Sequence, residues 1–144
     1  MPPLLLVSTR FRSILEANGL TGWQAIPVVL EVHGLADNRE YSLLVVSGKT
    51  GPIDNLRSHR VILPPHTSGG KSSEGWRGLF FAAGTWDRSD FFVPQGTGYV
   101  CTTDRARMAV TKAGATNCLF EPLDQVETAH ALAAILVTAV PPCP

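Results

Sequence analysis

"LVSTRFRSILEANGLTGWQAIPV" (Leu6–Val28) and "CTTDRARMAVTKAGATNCLFEPL" (Cys101–Leu123) lie on one another without a gap when the chain is shifted by 95 residues. Ser8 then falls on Thr103, Arg10 on Arg105, Arg12 on Arg107, Gly19 on Gly114, Thr21 on Thr116 and Pro27 on Pro122. Phe11, Ile14 and Leu15 fall on Ala106, Ala109 and Val110, at the spacing of one helix face. A Ser or Thr before such a run offers its side-chain oxygen to a free N–H of the first turn. A glycine after it ends the helix in the left-handed conformation. The stretch therefore predicts one unit used twice, over about residues 4–28 and 99–123: strand, cap, three-turn helix, glycine stop, strand. Any two such units share caps and stops. The arginines and the proline are not required by that pattern, so they carry the correspondence.

Working outward, Leu4–Val7 reads as the first strand and Arg10–Asn18 as the first helix. Trp23–Val32 is extended, with Pro27 pointing to an edge or a bulge. "GLADNRE" is turn chemistry, and Tyr41–Ser47 is the strand that would close a hairpin with 23–32. Val61–Leu63 is a brief apolar run ending in Pro64-Pro65. His66–Gly75, "HTSGGKSSEG", reads as a mobile loop. Arg77–Ala83 and Gly98–Thr102 read as strands, with "GTWDRSD" a turn between them. Arg105–Ala113 is the second helix and Asn117–Glu121 the strand after it. In the apolar tail, 127–144, alanine and leucine favour a helix from about Thr128 to Val140. The expected fold class is α/β, with α+β as the alternative. It is a single domain over 1–144: a mixed sheet, two pseudo-repeated strand-helix-strand units and a C-terminal apolar helix.

The chain has 144 residues, 44% hydrophobic and 17% charged, which suits a folded core rather than a disordered tail. Twelve basic and twelve acidic residues give zero net charge, so the basic excess of a nucleic-acid binder is missing. No basic residue precedes the short run Leu4–Val7, which argues against a signal peptide. The segment Ala129–Val140 is about a dozen residues, where a membrane span needs roughly twenty. A cytoplasmic chain without membrane or nucleic-acid partners is expected, with a dimer possible. Cys101, Cys118 and Cys143 form no C-x-x-C pair, so neither a disulfide framework nor a structural zinc is expected.

Two stretches tempt a phosphate-loop reading, "VVSGKTGPID" (Val45–Asp54) and "SGGKSS" at Gly70-Lys71-Ser72. The motif needs a glycine five residues before its Gly-Lys pair and a helix directly after. Leu43 and Pro65 stand where that glycine should be. Gly51-Pro52 and Ser73-Glu74-Gly75 begin no helix. Gly48-Lys49-Thr50 reads instead as a turn at the end of a strand, and no cofactor is expected. His33, His59, His66 and His130 sit at no ligand spacing, so no metal site is expected either. There is no G-x-S-x-G elbow. A catalytic thiol wants a basic, partly exposed setting, and Cys101 and Cys118 lie in apolar strands.

The concentrated feature is aromatic: Trp76, Phe80, Phe81, Trp86, Phe91, Phe92 and Tyr99. Neighbours on a strand point to opposite faces, so one of Phe91 and Phe92 must leave the main core. Either both faces are covered or one is a partner-binding patch.

Four segments carry a resemblance: "LLLVSTRFRSILEANGLTGWQAIPV", "YSLLVVSGKTGPID", "WRGLFFAAGTWDRSDFF" and "GYVCTTDRARMAVTKAGATNCLFEPL". They look like the double-CxxCG-motif proteins and related polymorphic-toxin immunity proteins of Gram-negative bacteria, over roughly residues 4–126. The most specific part is Trp86-Asp87-x-Ser89-Asp90-x-Phe92, followed by the unit ending in Phe120-Glu121-Pro122-Leu123. The two C-x-x-C-G pairs of that family are missing, so its zinc is not carried over. The resemblance implies a non-enzymatic immunity protein, an antitoxin that blocks a cognate toxin effector by occluding its active site. Trp86, Asp87, Asp90 and Phe92 are the expected partner-binding residues, with Glu74 and Asp54 as weaker candidates. The rival expectations are a small hydrolase near Cys101 or His59, and a small-ligand or regulatory module.

Overall fold

The computed structural model describes residues 4–32, 35–36, 40–65, 67–128 and 136–138. Among the described residues it is an α+β fold, with two α-helices and several small sheets. The first sheet is built from β1 (Leu4–Ser8), β2 (Trp23–Val28) and β5 (Tyr41–Val46), in the order β1-β5-β2 and antiparallel throughout. The expected pairing of 23–32 with 41–47 holds over Trp23–Val28, and Pro27 lies on the edge strand where its missing N–H costs no ladder bond. Two short strands, β3 (Glu31–Val32) and β4 (Leu35–Ala36), pair within the connection. Side chains alternate along β5, with Ser42, Leu44 and Val46 buried. On the opposite face Leu4, Leu6 and Ile26 remain about half exposed.

The helices are α1 (Thr9–Ala17) and α2 (Asp104–Lys112). Ser8 accepts from the Phe11 amide and Thr103 from the Ala106 amide, as the caps predict. Gly19 and Gly114 follow with φ of +58° and +65°. The arginines explain why the helices pair. Arg10 Nη2 donates to the Ala113 carbonyl (2.9 Å), and Arg105 Nη2 donates to the Asn18 and Gly19 carbonyls (2.6 and 3.1 Å). Each cation thus sits on the other helix's free C-terminal carbonyls, which fixes α1 and α2 antiparallel. Leu15, Ala106 and Val110 are buried between the helices and the first sheet, with Leu44, Val46, Phe91 and Val100.

The correspondence of the two units stops after the glycine. Residues 115–123 form no ladder strand, so the expected strand Asn117–Glu121 is corrected to irregular chain. Asn117 itself takes a left-handed φ of +61°, which breaks an extended run at its start.

The second sheet is mixed and four-stranded, in the order β12-β10-β9-β6. Its strands are β6 (Gly48–Pro52), β9 (Phe91–Gln95), β10 (Val100–Thr102) and β12 (Leu136–Thr138). β6 and β9 are parallel, as are β10 and β12, while β9 and β10 are antiparallel. Two expectations fall here. The Gly48-Lys49-Thr50 turn is a strand. Gly48 is there for a close approach: a Cβ on it would collide with the Ser89 side chain and the Phe91 carbonyl. The apolar C-terminal helix is corrected at Leu136–Thr138, which ladders beside β10. The β-branched residues around Val137 outweigh the alanines before them. The rest of that expected helix, 129–135 and 139–140, lies outside the described residues.

A third sheet, β11-β8-β7, holds β7 (His59–Leu63), β8 (Ser73–Arg77) and β11 (Glu127–Thr128). The strand expected at Arg77–Ala83 lies earlier, at Ser73–Arg77, inside the expected loop. Gly78 at φ +96° ends it, with the Phe80 ring folded against the glycine. Leu79 then turns inward and its amide bonds to the Leu123 carbonyl. Among the described residues no helix is long and apolar enough to cross a membrane.

Candidate partner-binding surface

The turn from Trp86 to Phe92 follows a 3-10 turn at Ala83–Thr85. Its two carboxylates and the Trp86 N–H are bonded by the chain itself. Asp87 accepts from the Lys49 amide (2.7 Å), the Ser89 amide (3.0 Å) and the Ser89 hydroxyl. Burial alone would raise its pKa. The hydrogen bonds from Ser89 and from Lys49 together outweigh that and hold the carboxyl below its usual range. Arg88, between them, takes a left-handed φ of +66° to close the turn. Trp86 is half-buried; its Nε1–H donates to the Ser89 carbonyl (3.1 Å) and its ring lies 5.7 Å from that of Phe92.

Asp90 ties three elements together. Its Oδ2 accepts from the Thr21 amide (2.9 Å), the Thr21 hydroxyl (3.2 Å) and Arg105 Nη1 (2.9 Å). Its Oδ1 accepts from the Thr103 hydroxyl (2.8 Å), the same hydroxyl that caps α2. The loop after α1, the start of β9 and the start of α2 meet on this one carboxylate. Phe92 is buried on Cys101, Phe81 and Trp86, while its neighbour Phe91 enters the main core. Both faces of β9 are therefore covered. The expectation that Asp90 and Phe92 present their side chains to a partner is corrected: they are 4% and 1% exposed. Trp86 and Asp87 reach the surface only with their polar atoms already bonded within the turn.

The weaker candidates lie elsewhere. Glu74 is exposed on β8, opposite Ile62 of β7. Alternation places Arg60 and Trp76 on the same outward face, paired in register. The Arg60 guanidinium lies 5.3 Å from the Trp76 ring centroid, and Arg57 lies 4.7 Å from that of Phe80. Ile62 is 69% exposed and Leu56 98%. Asp54 shapes the turn that carries Leu56: its Oδ1 accepts from the Leu56 amide (3.1 Å), and its own amide donates to the Phe80 carbonyl (2.6 Å). The structure thus separates the expected residues into an internal staple and an outward hairpin face. Sequence reasoning missed Arg57, Leu56, Arg60 and Ile62. The alternation of "HRVIL" opposite "SEGWR" would have found Arg60 and Ile62 had 73–77 been read as a strand; Leu56 and Arg57 lie in the turn before it and carry no such signal.

Comparisons with protein-family models, curated proteins and solved structures find no match. The likeness to immunity proteins therefore stands on the four quoted segments alone.

The enzymatic alternatives meet specific obstacles. Cys101 is fully buried, and that burial pushes its thiol up to about 12, far from a thiolate at neutral pH. Cys118 is raised for the same reason. His59 stands exposed on β7, paired in register with Arg77, itself bonded to Glu127. His33, His66 and His130 lie outside the described residues. Among the described residues, no three His, Cys, Asp or Glu side chains gather as metal ligands.

Proposed function

We propose that this protein is a binding protein of the immunity type, which neutralises a toxin effector by covering its active site, and that the outward face of β7 and β8 is its contact surface. The observation that carries this reading is the composition of that face. Arg60 stacked on Trp76, with Ile62 beside them and Glu74 at the edge, combines the residue types that dominate binding energy at protein interfaces. Leu56 extends the apolar area at the turn formed around Asp54. The quoted segments add the class of partner, and a cytoplasmic setting goes with it.

A toxin gene beside that of this protein would favour the reading, and co-expression with such a toxin should give a stable one-to-one complex and restore growth. Trp76→Ala and Ile62→Asp should each weaken that complex by about tenfold or more while the far-UV spectrum stays native. Failure to bind any co-encoded effector, with thiol-dependent turnover of a model ester, would sink the reading in favour of a hydrolase.

A further inference from the structure

Arg10 and Arg105 occupy reciprocal places, and one of them meets a carboxylate while the other does not. Each is the second residue of its helix, and each donates to the last carbonyls of the other helix. Arg105 also places Nη1 on Asp90, whose side chain is 6% exposed. Arg10 makes a single hydrogen bond through Nη2 and no ion pair among the described residues. Among the described residues, most of the donors on its guanidinium fork have no protein acceptor. The nearest acid to the start of α1 is Glu40. Its carbonyl accepts from the amide of Thr9, one residue past the cap, where that of Asp90 accepts from the amide of the cap Thr103 itself. The Glu40 carboxylate, however, turns to the Thr9 hydroxyl (3.3 Å) rather than to Arg10.

Beside Arg10 the structure holds an open cleft of about 440 Å³ between β1, α1 and residues 115–118. Leu5, Phe11 and Ile14 line its walls, and the buried Leu44 and Phe91 lie at its base. A cleft of this size, with apolar walls, polar groups from Ser8, Thr116 and Asn117 and one charged group at its margin, has the usual form of a small-molecule site. The geometry points to a ligand: we propose that the cleft binds a small organic acid, its carboxylate on Arg10 as Asp90 sits on Arg105, and its apolar body along Leu5, Phe11 and Ile14. The guanidinium fork favours a planar carboxylate over a point anion. The cleft suits an aliphatic or aryl acid of about ten non-hydrogen atoms. This site is separate from the β7–β8 face, and its test does not depend on an effector.

Octanoate and its neutral isostere octanamide are the probes, titrated against the full chain and followed by NMR and calorimetry. Octanoate should bind saturably, shifting resonances of Leu5, Phe11 and Ala115, with octanamide at least about tenfold weaker, as expected for a charge-assisted bidentate contact. Arg10→Gln should reduce octanoate binding to the level of octanamide. Lys71→Gln, far from the cleft, should leave binding unchanged. Ile14→Trp fills the cleft while keeping Arg10 and should abolish both. If Arg10→Gln fails to fold, the octanoate-to-octanamide ratio and its loss in Ile14→Trp decide the matter. Equal binding of the two probes, shifts mapping elsewhere, unchanged binding in Arg10→Gln, or no saturable binding overturns the proposal. An arginine reserved for an acidic side chain of a protein partner would give that last result.

Discussion

In the turn at residues 86–92, a tryptophan leans on a phenylalanine and an aspartate gathers hydrogen bonds from Thr21, Thr103 and Arg105. In the β7–β8 hairpin, a tryptophan lies under an arginine and an isoleucine stands in solvent. The two regions draw on similar residue types and use them in opposite directions. What separates them is closure. The turn satisfies its own carboxylates and covers its own rings, because β6, β9 and α2 all converge on it. The hairpin buries Leu63 and Gly75 on one face, and on the other Arg60, Ile62 and Glu74 are exposed around Trp76. An aromatic and acidic cluster is thus no guide to a binding surface until its hydrogen bonds are counted.

The sharpest way to break this comparison is to truncate a ring on each side. Phe92→Ala should cost about 3–5 kcal/mol of unfolding free energy, because it empties a fully buried site on Cys101, Phe81 and Trp86. Trp76→Ala should cost about 1 kcal/mol, since its ring is only half-buried and its stack with Arg60 is exposed. Urea denaturation of both variants gives the ratio. Equal losses would mean that the hairpin is as integral to the core as the turn.

Next comes the carboxylate itself. Asp90→Ala removes the acceptor for the Thr21 amide, the Thr103 hydroxyl and Arg105, and should destabilise by about 3 kcal/mol. Arg105→Ala should cost less, about 1 kcal/mol, because the guanidinium is more than half exposed and its loss leaves Asp90 with its other donors. If Arg105→Ala proves the costlier of the two, the staple is held by charge rather than by the caps.

A good part of this was legible in the sequence, and the reasons are local. Ser8, Thr103, Gly19 and Gly114 announce helix ends because capping and left-handed termination depend on the residue itself. Tyr41–Val46 announces a strand because tyrosine, leucine and valine crowd it between turn residues, although which face is buried is not written in that run. The Phe91-Phe92 pair gave opposite faces, but not that both would be covered, since that depends on Cys101 and Phe81 arriving from elsewhere. Ser73–Gly75 reads as loop because glycine and serine dominate its approach, and only pairing with His59–Leu63 makes it part of a strand. The Leu136–Thr138 strand is a further case of tertiary pairing overriding the helix propensity of its neighbours. Asp90 as a staple was out of reach for the same reason: Thr21 and Arg105 are distant in sequence.

A smaller effect tests the turn through pH. The carboxyl of Asp87 is held below its usual value, so its folded-state pKa lies under that of the unfolded chain. Such a group contributes stability above the unfolded value, here 3.8, and loses it as pH falls through the folded value. Thermal unfolding followed from about pH 6 down to about pH 2 should therefore show a smaller acid-induced drop in Asp87→Asn than in the parent chain. The variant should also be somewhat less stable at neutral pH. Identical acid limbs would mean that the bonds to Lys49 and Ser89 do not hold the turn.

The smallest effect on stability should come from the hairpin's outward charges. Arg60→Glu and Glu74→Lys alter exposed side chains away from any buried bond, so each should change unfolding free energy by no more than about 0.5 kcal/mol. The same two changes reverse the charge of the face at positions flanking Trp76 and Ile62. Because the two changes shift the charge of the face in opposite directions, one should slow effector association at low salt by about tenfold and the other should not, and the difference should shrink as salt screens it. Two variants that fold like the parent and both bind an effector at an unchanged rate would move the contact surface off β7 and β8. The half-exposed Leu4, Leu6 and Ile26 of the first sheet would then be the next face to test, because they form an outward apolar row on that sheet. Leu6→Asp separates the two surfaces: it should leave binding intact if the hairpin is the contact, and abolish it if the first sheet is.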